Sequence, residues 1–215
     1  MFLRVSRSHI APRAAESLPG GTHRLLYVTE GDLRVTSGQQ CASLGPDSAW
    51  FGAGTVELLG GAAGAKVLRW ELSAAAASRP AVDGASTVLL FEQPIAIDGP
   101  RAHLIRLDRV SFPPGGIAYT HTHQGPGIRV LLNGEITIDA NGARHTVAPG
   151  QAWFEAGPDP VLALASQREP TSFARVMVLP AELIGKSSIS YVKAEDIDKP
   201  KLQSYKIYID TPLDL

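Results

Sequence analysis

The sequence predicts an all-β protein made of two tandem copies of one small β-barrel unit, with few short helices, and three observations carry that reading. Short alternating apolar and polar runs such as LRV, EITID and RVMVL recur between Gly, Pro, Asn and Asp at turn-like intervals, the pattern of antiparallel strands. The second half of the chain repeats the first. No segment has a sustained helical face: Ala74–Ala77 is helical by propensity, but SAAAASRPAVDG has no apolar side and runs into Pro80.

The repeat is ungapped over its clearest part. At a separation of 103 positions Gly31 falls on Gly134, Pro46 on Pro149, Trp50 on Trp153, Phe51 on Phe154 and Gly54 on Gly157. Leu33 and Val35 fall on Ile136 and Ile138, and Leu44 on Val147, so the apolar alternation agrees as well. Further on, a separation larger by three brings Arg69 onto Arg175, which predicts a longer loop around Ser166–Thr171 in the second copy. The stretch following Ala74 reads as a linker. This gives a first copy over residues 1–80, a second over 81–180 and a C-terminal arm over 181–215. The arm holds Lys186, Lys193, Lys199, Lys201 and Lys206, against Lys66 alone elsewhere, yet YKIYID alternates like a strand. It is expected to add to a sheet, with its own barrel and a neighbouring subunit both open as acceptors.

Composition narrows the partners. Hydrophobic residues make up 44% and charged residues 19%, enough apolar material for a core. A net charge of -1 and a pI near 6.6 give no long-range attraction to phosphate backbones or anionic lipids, so neither nucleic acid nor membrane is expected as partner, and a small molecule is. Cys41 stands alone, which excludes an intramolecular disulfide and CxxC chemistry. Met1–Arg13 carries Arg4, Arg7 and Arg13 and lacks the apolar stretch of a signal peptide, so a cytoplasmic location is expected.

The segment GGIAYTHTHQGPGIRVLLNG, Gly115–Gly134, resembles the first cupin motif, in which His-x-His is followed by a Glu and then by a glycine seven positions later. PGQAWFEAGPDPV, Pro149–Val161, resembles the second, less closely. With the repeat, the likeness covers most of residues 20–180. It implies two tandem cupin jelly-roll barrels, a bicupin, with a pocket at the barrel centre and association into a homodimer through outer sheets. Two departures stand out: Gly127 occupies the place of the usual Glu ligand, and Asp159 and Pro160 lie where the last His is expected. The family hosts dioxygenases, isomerases, storage proteins and sensors, so the fold assigns no activity. One branch, the cysteine dioxygenases, lacks that Glu and uses three histidines.

His121 and His123 share one face of an extended strand, the arrangement in which two imidazoles meet one metal ion; the alternative is a neutral pair hydrogen-bonded to the wall or to a ligand. Iron, zinc, manganese, nickel and copper all accept imidazole, so a divalent transition metal is the candidate cofactor without choice among them. The first copy serves as a control for the second. It has Leu18, Pro19 and Gly20 opposite the His-x-His, Gly52 opposite Glu155, Leu26 opposite Arg129 and Ala42 opposite His145, so the polar interior is expected in the second copy alone. Glu155 is the candidate third metal ligand or catalytic acid or base, with a salt bridge as the alternative. Arg129 suits a substrate carboxylate or phosphate, or a structural pair with Glu155. Tyr119, Gln124 and His145 are candidate substrate contacts, against packing, loop and exposed roles. Trp50 and Trp153, present in both copies, are expected in the core. No Walker loop, dinucleotide fingerprint or GxSxG elbow occurs.

Two functions follow. The first is a metal-dependent enzyme of dioxygenase or isomerase type acting on a small anionic substrate. The second is a non-catalytic binding or sensing protein without metal.

Overall fold

The structure is a computed structural model and describes residues 1–76, 85–97 and 101–214. These residues divide into two compact units, Met1–Ile97 and Asp98–Leu215. Strands dominate both; among the described residues the helical elements are two 3-10 turns, Ala181–Leu183 and Ala194–Asp196. No helix among them is long and apolar enough to cross a membrane.

The first unit contains β1 (Phe2–Ile10), β2 (Ala15–Leu18), β3 (His23–Ser37), β4 (Gln40–Leu44), β5 (Ser48–Gly52), β6 (Val56–Ser73) and β7 (Ala85–Pro94). They form one antiparallel sheet in the order β4-β3-β6-β1-β7, with β2 also on β6 and β5 on β3. Period-two alternation turns Leu33, Val35, Val56, Leu58 and Val67 to one face, where they pack with Ile10, Leu26 and Val28.

The second unit contains β8 (His103–Phe112), β9 (Ile117–His123), β10 (Gly127–Asn133), β11 (Ile136–Ala140), β12 (Ala143–Val147), β13 (Ala152–Glu155), β14 (Val161–Ala165), β15 (Thr171–Pro180), β16 (Ile189–Tyr191) and β17 (Ser204–Leu213). Two sheets result, β13-β10-β15-β8-β17 and β12-β11-β14-β9-β16. Both contribute to one core, with Val110, Leu131, Trp153 and Phe173 from the first and Ile136, Val147, Val161 and Ala163 from the second.

Strand pairing follows the sequence repeat. β3 is one long strand where the second unit has β10 and β11, and β6 is one strand where it has β14 and β15. Breaks fall at Gly134 and at residues 166–170, the loop expected to be longer in the second copy. Gly31 and Gly134 both have positive φ, 72° and 75°, and a Cβ would run into the Gly64 carbonyl at one and into Thr171 and the Pro170 carbonyl at the other. Asn141 and Gly142, φ 53° and 73°, make the two-residue turn that joins β11 to β12.

Two boundary expectations meet the structure here. The proposed break near residue 80 lies outside the described residues; β7 hydrogen-bonds β1, and the first unit runs to Ile97. The C-terminal arm packs on its own unit, β17 along β8 and β16 along β9. β17 thus takes beside β8 the place that β7 takes beside β1.

The expectation of a polar interior confined to the second copy is corrected. Arg24, Arg69, Glu16 and Glu71 are all buried in the first unit. Position-by-position comparison missed Arg24 and Glu71 because their counterparts carry no charge: Arg24 stands opposite Glu71 across β3 and β6, where the second unit pairs Gly127 with Met177.

Candidate functional site

Pairing of β9 with β14 sets the two histidines. Val161 faces His121 while Ala163 faces Ala118, so β9 holds one extra residue over that interval. This bulge turns Ala118, His121 and His123 inward together. Both imidazoles are buried, with ring centroids 4.9 Å apart and planes at 86°. His121 Nδ1 donates to the Tyr119 carbonyl at 2.7 Å, which fixes the proton there and leaves Nε2 as an acceptor. His123 Nδ1 lies 3.2 Å from Ser188 Oγ, a residue of the C-terminal arm.

From the facing sheet come Arg129 on β10, Trp153 and Glu155 on β13, and Arg175 on β15. Arg129 is 0% exposed, and its Nη2 meets Glu155 Oε2 at 2.6 Å while Nη1 donates to the Gly127 carbonyl at 2.6 Å. The other Glu155 oxygen accepts from Trp153 Nε1 at 2.9 Å. His123 Nε2 is 3.6 Å from Glu155 Oε2, too far for a hydrogen bond. Arg175 is held on both Asp108 oxygens at 2.7 and 3.0 Å and lies 5.8 Å from the centroid of the Tyr205 ring. Ile189 and Tyr205, both from the arm, complete a cavity of about 20 Å³. That is room for about one water molecule.

Burial governs the charges. It pushes the His121 pKa down against the raising effect of Glu155. His123 goes well below the ordinary value, through burial and then through the positive charges of Arg175 and Arg129. Both imidazoles are therefore neutral at neutral pH. Burial also brings Arg129 down to about 10, opposed by Glu155, which leaves it cationic. Arg175 suffers the same desolvation, but Asp108 outweighs it and the pKa is raised.

Of the residues singled out from sequence, His121, His123, Arg129 and Glu155 come together. Three do not. Tyr119 loses the face of His121 because of the bulge, and its ring lies 4.9 Å from Lys199 Nζ. Gln124 is exposed just beyond the end of β9. His145 is exposed on the edge strand β12, close to the Asn141–Gly142 turn. Trp153 belongs to the core as expected and also orients Glu155. Sequence reading missed Arg175, Ser188, Ile189 and Tyr205 as site residues. A lone arginine inside the apolar run FARVMVL was the available signal for the first; nothing local marks the other three.

The donor set does not fit a resident divalent metal. Glu155 is already engaged by a guanidinium and an indole N–H, and two buried guanidinium groups stand close to the imidazoles. Among the described residues no group of three or more His, Cys, Asp or Glu is arranged to hold an ion. Nor is there space for the usual Glu in place of Gly127, where even a Cβ would sit 2.5 Å from the Val176 carbonyl oxygen and 2.7 Å from Met177 Cγ.

No family model matches the chain, and no curated protein matches it. Solved structures do. A deletion mutant of Bacillus subtilis oxalate decarboxylase superposes with a TM-score of 0.68 at 12% identity, over 92% of this chain and 73% of that one. AerE from Microcystis aeruginosa gives 0.64 at 15%, over 82% and 88%. A glyoxylate-induced protein from Pseudomonas aeruginosa gives 0.58 at 16%, over 82% and 75%. At such identities the likeness is one of fold.

Proposed function

We propose that this chain, which has the cupin fold, is a bicupin of two tandem jelly-roll barrels whose second barrel binds a small anionic molecule without a resident metal. Commitment of Glu155 to Arg129 and Trp153 carries the reading, because it leaves His121 and His123 as a neutral hydrogen-bonding pair rather than part of a completed ligand set. The same contact points to the ligand class. A carboxylate already sits on the buried guanidinium, so an incoming carboxylate makes an equivalent bond by displacing Glu155. Displacement is required, since the cavity otherwise has room for about one water. Arg129 then grips the anion, and His121 Nε2 accepts from any hydroxyl beside it.

The test uses oxalate and glyoxylate, suggested by the names of the structural neighbours. Titration followed through the indole N–H resonance of Trp153 is expected to saturate as Glu155 leaves it. An unmoved resonance overturns the binding reading.

A second reading, a metal-dependent dioxygenase or isomerase, is favoured by the free Nε2 of His121 and by the Mn(II) centres of oxalate decarboxylase. Metal analysis decides between the two. Substoichiometric metal supports the first; near-stoichiometric metal that disappears in His121→Ala/His123→Ala establishes the second.

The proposal includes a cytoplasmic homodimer. An exposed free thiol at Cys41 suits a reducing compartment, and sedimentation at the mass of one chain would exclude the dimer.

A further inference from the structure

The first unit carries a second site. On its inner face the apolar residues Val28 and Val67 give way along β3 and β6 to Arg24 and to Arg69 and Glu71. With Arg4 from β1 they line a cavity of about 840 Å³, within the size range of small-molecule pockets. Leu18 and Leu89 supply apolar wall, and Ser6 and Thr22 supply hydroxyls.

The hydrogen-bond inventory of these charges is incomplete. Glu71 gives one oxygen to Arg4 Nε at 3.0 Å and the other to Arg24 Nε at 2.8 Å. Arg69 Nη1 donates to Glu16 at 2.9 Å, and Arg24 Nη2 donates to the Pro19 carbonyl at 3.2 Å. Arg24 Nη1 and Arg69 Nε, both buried, have no hydrogen-bond partner among the described residues, the latter lying 3.8 Å from Glu71. Arg24 is only 2% exposed, so its unmet donor faces a substantial desolvation cost that an anion would relieve. Burial lowers the Arg24 pKa, opposed by Glu71 and assisted by the neighbouring charges of Arg69 and Arg4.

We propose that this cavity binds a small organic acid through a single carboxylate, seated on Arg24 with Arg69 beside it and the carbon skeleton against Leu18 and Leu89. One carboxylate is favoured over a polyanion because Glu16, Glu71 and Glu92 already match Arg4, Arg24 and Arg69 one for one, so what remains for a ligand is the unmet N–H donors and not a net positive charge. The ligand adds to the ion-pair network and need not break it. This site is independent of the second unit, where Arg129 and Arg175 each have a carboxylate of their own.

Sodium benzoate, acetate and inorganic phosphate are the probes, titrated into the full chain by calorimetry and followed by amide resonances. Benzoate is expected to saturate with perturbations at Ser6, Thr22 and Ser73, and Arg24→Gln is expected to weaken it about tenfold or more, the scale of a hydrogen bond to a charged group. Acetate should bind at the same amides more weakly, lacking the body that fills the wall. Absence of saturation by benzoate overturns the proposal, as does binding of phosphate alone, or benzoate perturbations confined to other amides. Unchanged affinity in a folded Arg24→Gln also overturns it. Should that variant not fold, the amide map of the unaltered chain still decides. Perturbation at Ile138 and Ala163 would report on the other cavity, so the two readings fail separately.

Discussion

Where β3 faces β6 in the first unit, Arg24 stands opposite Glu71; at the same place in the second, Gly127 stands opposite Met177. Two residues along, the contrast reverses, with Leu26 opposite Arg69 in the first and Arg129 opposite Arg175 in the second. Where Glu155 neutralises Arg129, the first unit has Gly52, over which the Trp50 ring folds so closely that a Cβ would lie 2.5 Å from it. The second unit thus pairs Arg129 and Arg175 each with a carboxylate, although the buried Arg129 Nε has no hydrogen-bond partner among the described residues, and has almost no free volume. Its counterpart gathers Arg4, Arg24 and Arg69 around Glu71, with Glu16 on Arg69 and Glu92 near Arg4, and keeps a large cavity. One strand plan with register preserved admits either arrangement, because the backbone pairing does not depend on which strand position carries the charge.

The largest expected effect tests the pair of arginines both units keep. Arg175→Met strands Asp108 and Arg69→Met strands Glu16, each buried, and each should cost about 3–5 kcal/mol in urea unfolding. Replacing the acid by Leu as well should recover most of it, and a small loss in the single variants would break the equivalence. Next comes the glycine that distinguishes the interiors. Gly127→Ala presses on the backbone oxygen of Val176, which cannot swing aside, and is expected to cost about 1–3 kcal/mol in the same measurement.

A smaller effect is set by pH. Both His121 and His123 have folded pKa values below the unfolded one, so the unfolded chain takes up protons first as pH falls past about 6.5. Stability should decline from there toward the depressed folded values, by at most about 1.4 kcal/mol per pH unit for each histidine, and His121→Gln/His123→Gln should flatten the curve. Least of all, His145→Ala and Gln124→Ala should each change stability by no more than about 0.5 kcal/mol, being exposed.

Strand content, the repeat and the meeting of His121 with His123 were legible in the sequence because each depends on local periodicity or on spacing that survives without gaps. Tyr119 was misread for a related reason. A one-residue bulge in β9 is silent in composition yet reverses every parity argument beyond it. Arg24 and Glu71 of the first unit escaped because their places in the second are held by Gly127 and Met177, so aligned columns show Leu26 against Arg129 and hide Arg24. Ser188 and Tyr205 reach the site from a segment distant in sequence, and only tertiary pairing brings them in.

The placement of β17 beside β8 bears on how the protein is made. Translation supplies β7 before any of the second unit exists, so the N-terminal sheet is able to finish on its own schedule. Its successor cannot: β8 waits for both partners until residues 171–180 emerge, and with one edge still bare until residues 204–213 follow. During that interval the nascent chain exposes a long, unpaired strand, the feature that most invites wrong partners.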